Sequence, residues 1–109
     1  EDVFDEAPDI YYSEGTGRAA KMAAGCAVEA THVVVNSTMK NAFALVRPPG
    51  HHAEHECAMG FCFFNNCAVA AKAALKSGKA KRVMIIDWDV HHGNGISNAF
   101  YDDDRVLYV

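Results

Sequence analysis

Two short stretches of the sequence carry histidines and carboxylates at spacings that suit metal-assisted chemistry. The first, residues 87–95 (DWDVHHGNG), follows the apolar run 83–86 (VMII). Such a run is typical of a parallel strand buried on both faces. If the chain stays extended beyond it, Asp87, Asp89 and His91 share one face of the strand. An Asp and a His two residues apart can then converge on one metal ion.

The second stretch, residues 47–53 (RPPGHHA), also places adjacent histidines after an apolar run, residues 43–46 (FALV). A lone Asp-x-His at a strand end is more often a loop anchor than a metal site. Two strand-end loops that each bear a histidine pair are hard to explain by packing, and ligands bind beyond the carboxyl ends of parallel strands. Together the imidazoles and carboxylates indicate a metal with acid/base partners.

Three motifs in this order resemble the zinc-dependent histone deacetylase family, most closely its class II branch: RPPGHHA at 47–53, GFCFFN at 60–65 and DWDVHHGNG at 87–95. The resemblance runs over about residues 9–109. It implies an α/β fold with the parallel-sheet, three-layer arginase/deacetylase architecture. It also covers only an early portion of the family's catalytic domain, so we expect residues 1–109 to be a partial domain, incomplete at the C-terminal side and at the N-terminal side.

By resemblance, Asp89 and His91 are two zinc ligands. Zinc held by a carboxylate and an imidazole polarises a carbonyl and lowers the pKa of bound water toward about 7. The family's third protein ligand, an Asp, and its carbonyl-polarising Tyr, which is His in part of class II, are expected beyond Val109. The resemblance also implies structural potassium, with one site at Asp87 and the backbones of Asp89 and His91. A second potassium site matches the carbonyls of Phe100, Asp103 and Val106.

The resemblance assigns proton transfer to the histidine pair of the second stretch. His52 would be the general base that takes a proton from water and returns it to the leaving lysine amine, while His51 stabilises charge in the transition state. Asp87 would orient His51, and Asn94 would contact His52. Class I members place an Asp where this chain has Asn94, and a neutral partner raises the basicity of an imidazole less than a carboxylate does.

The motif between the two histidine pairs is expected to border the substrate. By resemblance, the carbonyl of Gly60 lines the acyl-lysine tunnel, Phe61 forms one wall of it and Cys62 lies beside the active site. Gly60 ends a long connection, residues 47–60, and loops of that length are usually functional. Its remaining charged residues are expected to form a solvated loop surface: Glu54, His55 and Glu56.

Helices and strands must hold these loops in place. After an irregular lead-in over 1–12, small residues recur with helical spacing from Ser13 or Thr16, either of which could be the N-cap, to Ala30. Residues 33–35 are β-branched, which favours extended backbone.

A strand over 42–46, a helix over 67–77 and a strand over 83–86 then predict a βαβ unit with both histidine pairs at one sheet edge. Asn65 or Asn66 would cap that helix and Gly78 would end it. A short helix over 96–101 and a strand over 105–109 follow.

Composition narrows the range of functions. The chain has 109 residues, is 50% hydrophobic and carries a net charge of −4, so it can bury one modest core and has no basic cluster for direct binding to nucleic acid. No apolar run is long enough to cross a membrane. The four cysteines lack the Cys-x-x-Cys spacing of a structural zinc site, which disfavours a zinc site that combines them with His51 and His55. We expect the cysteines to be reduced thiols. The protein is then expected to be intracellular, in the nucleus, the cytoplasm or both.

These observations predict a class II-like deacetylase that hydrolyses acetyl-lysine in histones or other proteins through a zinc-activated water, with a role in chromatin and transcription regulation. A rival enzyme is an acetylpolyamine amidohydrolase, which shares the fold, the zinc site and the HHGNG pattern. A rival of another class is a weakly active or inactive scaffold that binds corepressor proteins. The 109-residue chain alone is expected to be inactive.

Overall fold

The computed structural model describes residues 9–109. In that part of the chain three helices and two strands follow one another: α1 (Thr16–Val35), α2 (Asn66–Lys76), β1 (Val83–Ile85), α3 (Asn94–Phe100) and β2 (Val106–Tyr108). The strands form a parallel pair that aligns Val83 with Val106 and Ile85 with Tyr108. Of the expected lead-in over 1–12, residues 9–12 form neither helix nor strand, and residues 1–8 lie outside the described part.

Helix α1 begins at a different cap from either expected one. Its N-cap is Gly15, which makes no side-chain capping hydrogen bond. Ser13 and Thr16 bond to each other instead, with the Ser13 backbone N–H donating to Thr16 Oγ1 at 2.8 Å. The hydroxyl of Thr16 therefore closes a turn before the helix and is not free to satisfy its first N–H groups.

The end of α1 also differs from the expectation, because residues 33–35 are helical rather than extended. Two hydrogen bonds close the last turn, from Ser37 N–H to the Val34 carbonyl and from Thr38 N–H to the Val33 carbonyl, both 2.9 Å. With Ser37 at a φ of 59°, this is the Schellman arrangement that ends many helices. The weak preference of β-branched residues for extended backbone is overridden by this cap and by packing against α2.

Helix α2 matches its prediction closely. Asn65 is the N-cap and its side chain accepts a hydrogen bond from the Ala68 N–H at 3.0 Å, while Gly78 follows the helix with a φ of +73°. Helix α1 packs on α2 with its stripe of small residues, of which Ala20 and Ala23 are buried. Small side chains allow two helices to approach closely.

The core lies between the sheet and the helices α2 and α3. Its buried members are Ala68, Ala71, Ile96 and Phe100, and the residues of β1 and β2 that face it are Val83, Ile85, Val106 and Tyr108. The opposite face of the sheet is open in the described part of the chain, where Met84 is 59% and Leu107 is 57% exposed. The expectation that residues 83–86 are buried on both faces is therefore wrong for residues 9–109.

The parallel unit is also built from different segments than expected. Residues 42–46 form no strand, and the partner of β1 is β2, so that α3 rather than α2 lies in the crossover between the paired strands. Apolar character alone does not make a strand, because a strand needs a partner for its backbone N–H and C=O groups. Within the described residues, β1 finds that partner in β2.

None of the helices over residues 9–109 has the length and apolar composition to cross a membrane. All four cysteines are free thiols, and Cys62 is fully buried. Burial raises the pKa of the Cys62 thiol, because removal from water disfavours the charged thiolate.

Two helical glycines should respond in opposite ways to alanine. An alanine Cβ at Gly25, inside α1, would meet nothing within 4 Å, whereas at Gly95, in α3, it would collide with the carbonyl of Ala53. We expect Gly25→Ala to stabilise the protein by about 0.5–1 kcal/mol through lower backbone entropy of the unfolded chain. Gly95→Ala should destabilise it. Urea denaturation measures both, and a shift of both variants in the same direction would contradict this packing.

Candidate active site

The loop that carries His51 and His52, called here the histidine loop (residues 47–60), is held by two adjacent asparagines at the start of α2. Asn65 donates through Nδ2 to the Ala53 carbonyl at 3.2 Å, and Asn66 donates to the Pro48 carbonyl at 3.1 Å. Asn65 thus caps the helix with its oxygen and anchors the loop with its nitrogen. From the other side, the Gly95 N–H of α3 donates to the His51 carbonyl at 3.0 Å.

Close backbone approach makes this anchoring possible. A Cβ on Gly50 would lie 2.7 Å from the Phe64 carbonyl oxygen and would also collide with the Asn66 nitrogen. Distances that short are not found for real Cβ atoms, so the loop can reach the start of α2 only with glycine at this position. The glycine between the prolines and the histidines is therefore a packing requirement as well as a turn residue.

His51 is held by a carboxylate from the end of β1. Its Nδ1 lies 2.8 Å from Asp87 Oδ2, and both side chains are 15% exposed. The same carboxylate oxygen is 3.5 Å from the Tyr108 hydroxyl, which in turn accepts the Gly93 N–H at 2.9 Å. A Cβ on Gly93 would come within 2.7 Å of Asp87 Oδ2, so this cluster also depends on a glycine.

His52 is held by an amide rather than a carboxylate. Its Nδ1 lies 2.7 Å from Asn94 Oδ1 at the start of α3. The imidazole rings of His51 and His52 have centroids 4.0 Å apart, and the ring of His91 meets His52 edge-on at 5.9 Å. The two histidine-bearing loops therefore come together. Both expected contacts are present, that of His51 with Asp87 and that of His52 with Asn94.

The loop after β1, called here the acidic loop (residues 87–93), is bent rather than extended at residues 89–91. Its shape comes from two successive turns in which an Asp side chain accepts from the backbone two residues on. Asp87 Oδ1 accepts the Asp89 N–H at 3.2 Å, and Asp89 Oδ1 accepts the His91 N–H at 2.7 Å. The expected extended backbone is wrong here, although Asp87, Asp89 and His91 still lie side by side.

Asp89 and His91 form a pair of ligand atoms at the open edge of the site. Asp89 Oδ1 and His91 Nδ1 are 2.9 Å apart, and both side chains are largely exposed. Hydrogen bonds from the His91 backbone and side chain lower the pKa of the Asp89 carboxyl, so it is ionised at neutral pH. A carboxylate oxygen facing an imidazole nitrogen fits two positions of a zinc site, and His51 Nε2 lies 4.0 Å from the same Asp89 oxygen.

Residues 9–109 do not assemble a larger set of ligands. In that range no group of three or more His, Cys, Asp or Glu side chains is placed to hold a metal ion. His55, which a cysteine-and-histidine site would need, is 95% exposed. The described residues therefore offer Asp89 and His91 as a pair of donors, not a closed metal cage.

The residues expected at the second potassium site are the last residue of α3, Phe100, and two residues that follow it, Asp103 and Val106. The Phe100 carbonyl accepts the Asp103 N–H at 3.0 Å and the Asp103 carbonyl accepts the Val106 N–H at 3.1 Å. The Asp103 carboxylate pairs with the Arg105 guanidinium at 2.6 and 2.7 Å, which lowers the pKa of Asp103 to about 2. The segment between α3 and β2 is thus ordered by its own hydrogen bonds.

The residues expected at the substrate channel form a tight turn. Met59 and Cys62 exchange backbone hydrogen bonds at 2.9 and 3.1 Å, and the two residues between them have positive φ angles, 54° for Gly60 and 64° for Phe61. Positive φ is strained for a bulky residue. The turn presents Phe61 outward, 63% exposed, and presses the backbone of Gly60 against the ring of His52.

The structure also places two residues at the site that the sequence pattern did not identify. Tyr108, read only as part of a strand, bridges Gly93 and Asp87. Glu54, expected on a solvated loop surface, accepts hydrogen bonds from Asn94 and Asn98, whereas Glu56 is 88% exposed as expected. No local signal separates these two glutamates, since only the approach of α3 gives Glu54 its partners.

Two left-handed glycines provide a matched test of the contact with His52. Gly60→Ala and Gly78→Ala both force alanine into positive φ, which should cost each about 1–2 kcal/mol of stability. Only at Gly60 would the added methyl group strike the His52 ring, since nothing lies within 4 Å of a Cβ at Gly78. We expect the Nδ1 proton resonance of His52 in ¹⁵N-histidine NMR spectra to shift or vanish in Gly60→Ala alone. An unchanged resonance in that variant would contradict the contact.

Comparisons with known proteins agree with the geometry. The sequence profile described as the histone deacetylase domain matches residues 1–109. The chain is 53% identical over 102 residues to histone deacetylase clr3 of Schizosaccharomyces pombe, 51% identical over 102 residues to histone deacetylase HDA1 of Saccharomyces cerevisiae and 50% identical over 94 residues to histone deacetylase 7 of Homo sapiens. These matches cover 92%, 92% and 86% of this chain, but only 15%, 14% and 10% of the relatives.

A solved structure supports the same relationship. The crystal structure of the HDA15 HD domain superposes with a TM-score of 0.91 at 51% identity, over 94% of this chain and 29% of that domain's chain. The expected α/β deacetylase fold, of which this chain forms a part, is therefore confirmed. By its sequence, its fold and the order of its motifs, the chain belongs to the histone deacetylase family.

Proposed function

We propose that the protein containing this chain is a zinc-dependent deacetylase that hydrolyses acetyl-lysine side chains of histones or other proteins to lysine and acetate. The observation that carries the proposal is the meeting of two Nδ1-bonded histidines, His51 and His52, with the Asp89 and His91 donor pair. The chain spans 10–15% of the length of the named relatives, so the activity proposed is that of the whole protein.

Asp89 and His91 would hold the zinc, which when bound supplies a Lewis acid that polarises the amide carbonyl and makes water more acidic. Because hydrogen bonds hold Asp89 in its ionised form, no proton has to leave the carboxylate before it can bind the metal. We also propose structural potassium at Asp87, Asp89 and His91 and at the carbonyls of Phe100, Asp103 and Val106. Their support is the resemblance of these positions to the family's potassium sites.

The two histidines differ in their partners, and this difference suits two roles. Nδ1 of His52 faces an amide oxygen, which can only accept a hydrogen bond, so that nitrogen carries a proton and Nε2 is free to take another. His52 is therefore the proposed base that deprotonates water and then protonates the leaving lysine amine. His51 is bonded directly to the Asp87 carboxylate, which stabilises positive charge on the ring close to a developing oxyanion.

The turn at Gly60, Phe61 and Cys62 is the proposed entrance for the acetyl-lysine side chain. Phe61 is largely exposed next to Gly60, whose backbone contacts the His52 ring, and offers an apolar wall for the methylene groups of lysine, while Cys62 is buried and its thiol donates to the Gly60 carbonyl at 3.3 Å. Acetylated histone tails or other proteins would be the substrates, with corepressor proteins as partners, in the nucleus or the cytoplasm.

The test of the proposed activity uses the whole protein, assayed with an acetyl-lysine peptide and with acetylspermidine. We expect peptide turnover that falls by about 10²–10⁴-fold in His52→Ala with zinc content retained. The isolated 109-residue chain should show no turnover. Preferential hydrolysis of acetylspermidine would assign the protein to the polyamine branch, and a zinc-loaded protein that hydrolyses neither substrate would support the scaffold.

Adjacent histidines allow a matched test of the metal ligands. His91→Ala should leave the purified protein with much less zinc, because it removes one proposed ligand, whereas His92→Ala should retain it. Metal content is measured by mass spectrometry after dialysis. Equal zinc in both variants would rule out His91 as a ligand.

The proposed potassium sites are tested in the same samples. Replacement of potassium by sodium should lower the melting temperature, and an unchanged melting temperature would argue against the potassium sites.

A further inference from the structure

Glu54 is a charged residue of the histidine loop to which the proposed mechanism gives no role. Its Oε1 accepts hydrogen bonds from Asn94 Nδ2 at 2.5 Å and from Asn98 Nδ2 at 2.9 Å, two amides one turn apart on α3. The next acidic residue of the loop, Glu56, is 88% exposed and lies 3.7 Å from the neighbouring His55. Glu54 is therefore tied to α3, while Glu56 faces solvent.

The carboxylate of Glu54 decides which way the Asn94 amide points. Besides Glu54, the Nδ2 group of Asn94 faces the His52 carbonyl at 3.4 Å and the Met59 sulfur at 3.3 Å. All three are acceptors with no proton to offer. A flipped amide would turn its Nδ2 toward His52 and place its oxygen against a carboxylate, a carbonyl and a thioether, so the orientation with Nδ2 toward Glu54 is the one that gives these three acceptors a donor.

The orientation of the amide then decides the protonated nitrogen of His52. With Nδ2 directed at Glu54, Oδ1 must face His52 Nδ1, at 2.7 Å. An amide oxygen accepts only, so the proton of the neutral imidazole lies on Nδ1 and its lone pair lies on Nε2. We propose that Glu54 is a positioning residue that fixes the Asn94 amide and, through it, the tautomer of His52.

This arrangement gives the two histidines different electrostatic partners. The carboxylate of Asp87 touches the ring of His51 directly, whereas the carboxylate of Glu54 reaches His52 only through a neutral amide. The orientation of His52 is thus controlled by a charged group whose full negative charge stays one side chain away from the ring. As far as catalysis is concerned, the inference rests on the proposed function, but the order of donors and acceptors can be tested without activity.

The first part of the test compares two glutamates of one loop in the whole protein. Glu54→Ala should lower kcat for an acetyl-lysine peptide by about 10–100-fold, as loss of an outer-shell partner typically does, with KM nearly unchanged. The Nδ1 proton resonance of His52 should weaken or shift in ¹⁵N-histidine NMR spectra. Glu56→Ala, the matched control, should leave kcat and the resonance as they are. Equal effects of the two variants would overturn the proposal.

The second part reverses the hydrogen bonds and guards against simple misfolding of Glu54→Ala. Asn94→Asp alone would set two carboxylates against each other, and we expect it to lose activity. The double variant Glu54→Gln with Asn94→Asp restores a donor facing an acceptor and leaves a carboxylate oxygen for His52 Nδ1. It should recover most of the lost kcat and the His52 resonance. A double variant no better than Asn94→Asp would overturn the proposal.

The two hypotheses fail in different ways. If the wild-type protein is inactive toward the peptide, the proposed function fails, and the NMR comparison of Glu54→Ala with Glu56→Ala still decides whether Glu54 controls the His52 proton. If the wild-type protein is active but Glu54→Ala is as active as Glu56→Ala, the deacetylase stands and the role of Glu54 is refuted.

Discussion

Two hydrogen bonds from imidazole Nδ1 atoms hold the site together, His51 to Asp87 and His52 to Asn94. They join positions 36 and 42 residues apart in the chain. Each bond uses a nitrogen that would otherwise need water, and each fixes a ring that would otherwise rotate. Both rings belong to the histidine loop, whereas one partner begins the acidic loop and the other begins α3, so the histidine loop cannot move against them without breaking a part-buried hydrogen bond.

The close contact of backbones is what lets these bonds form. The histidine loop lies against the start of α2 and the start of α3, and in both places a glycine makes the approach possible, Gly50 in the first and Gly95 in the second. Asn65 and Asn66 use their side chains to bond the loop as well as to begin the helix. Helix ends, which leave backbone groups unpaired, thus become the anchors of the loop that carries the histidines.

The three carboxylates of the site differ in the groups that donate hydrogen bonds to them. Asp87 accepts hydrogen bonds from an imidazole, a backbone N–H and a hydroxyl, Asp89 accepts them from a backbone N–H and an imidazole, and Glu54 accepts them from two amides. Of these three carboxylates, Asp87 alone lies within hydrogen-bond distance of His51 or His52. This difference in partners fits the separate roles proposed for the adjacent histidines, His51 and His52.

Local sequence features were reliable where the interaction itself is local. The cap at Asn65, the glycine after α2, the small-residue stripe of α1 and the motifs at 47–53, 60–65 and 87–95 depend on residues within a few positions of one another. The order of these motifs was also sufficient to indicate the family and the fold. Predictions that depended on propensity alone failed, as at residues 33–35, where packing and a helix cap outweigh β-branching.

The sequence by itself determined which side chains could do chemistry: two histidine pairs, their carboxylates and Asn94, at spacings that few other functions require. Only the tertiary structure decided that Glu54 bonds Asn94, that Tyr108 bonds Asp87 and that β1 pairs with β2 rather than with residues 42–46. The physical reason is the separation of these residues along the chain. A hydrogen bond between residues tens of positions apart depends on how closely the intervening backbone can pack, and no local pattern of residue types records that distance.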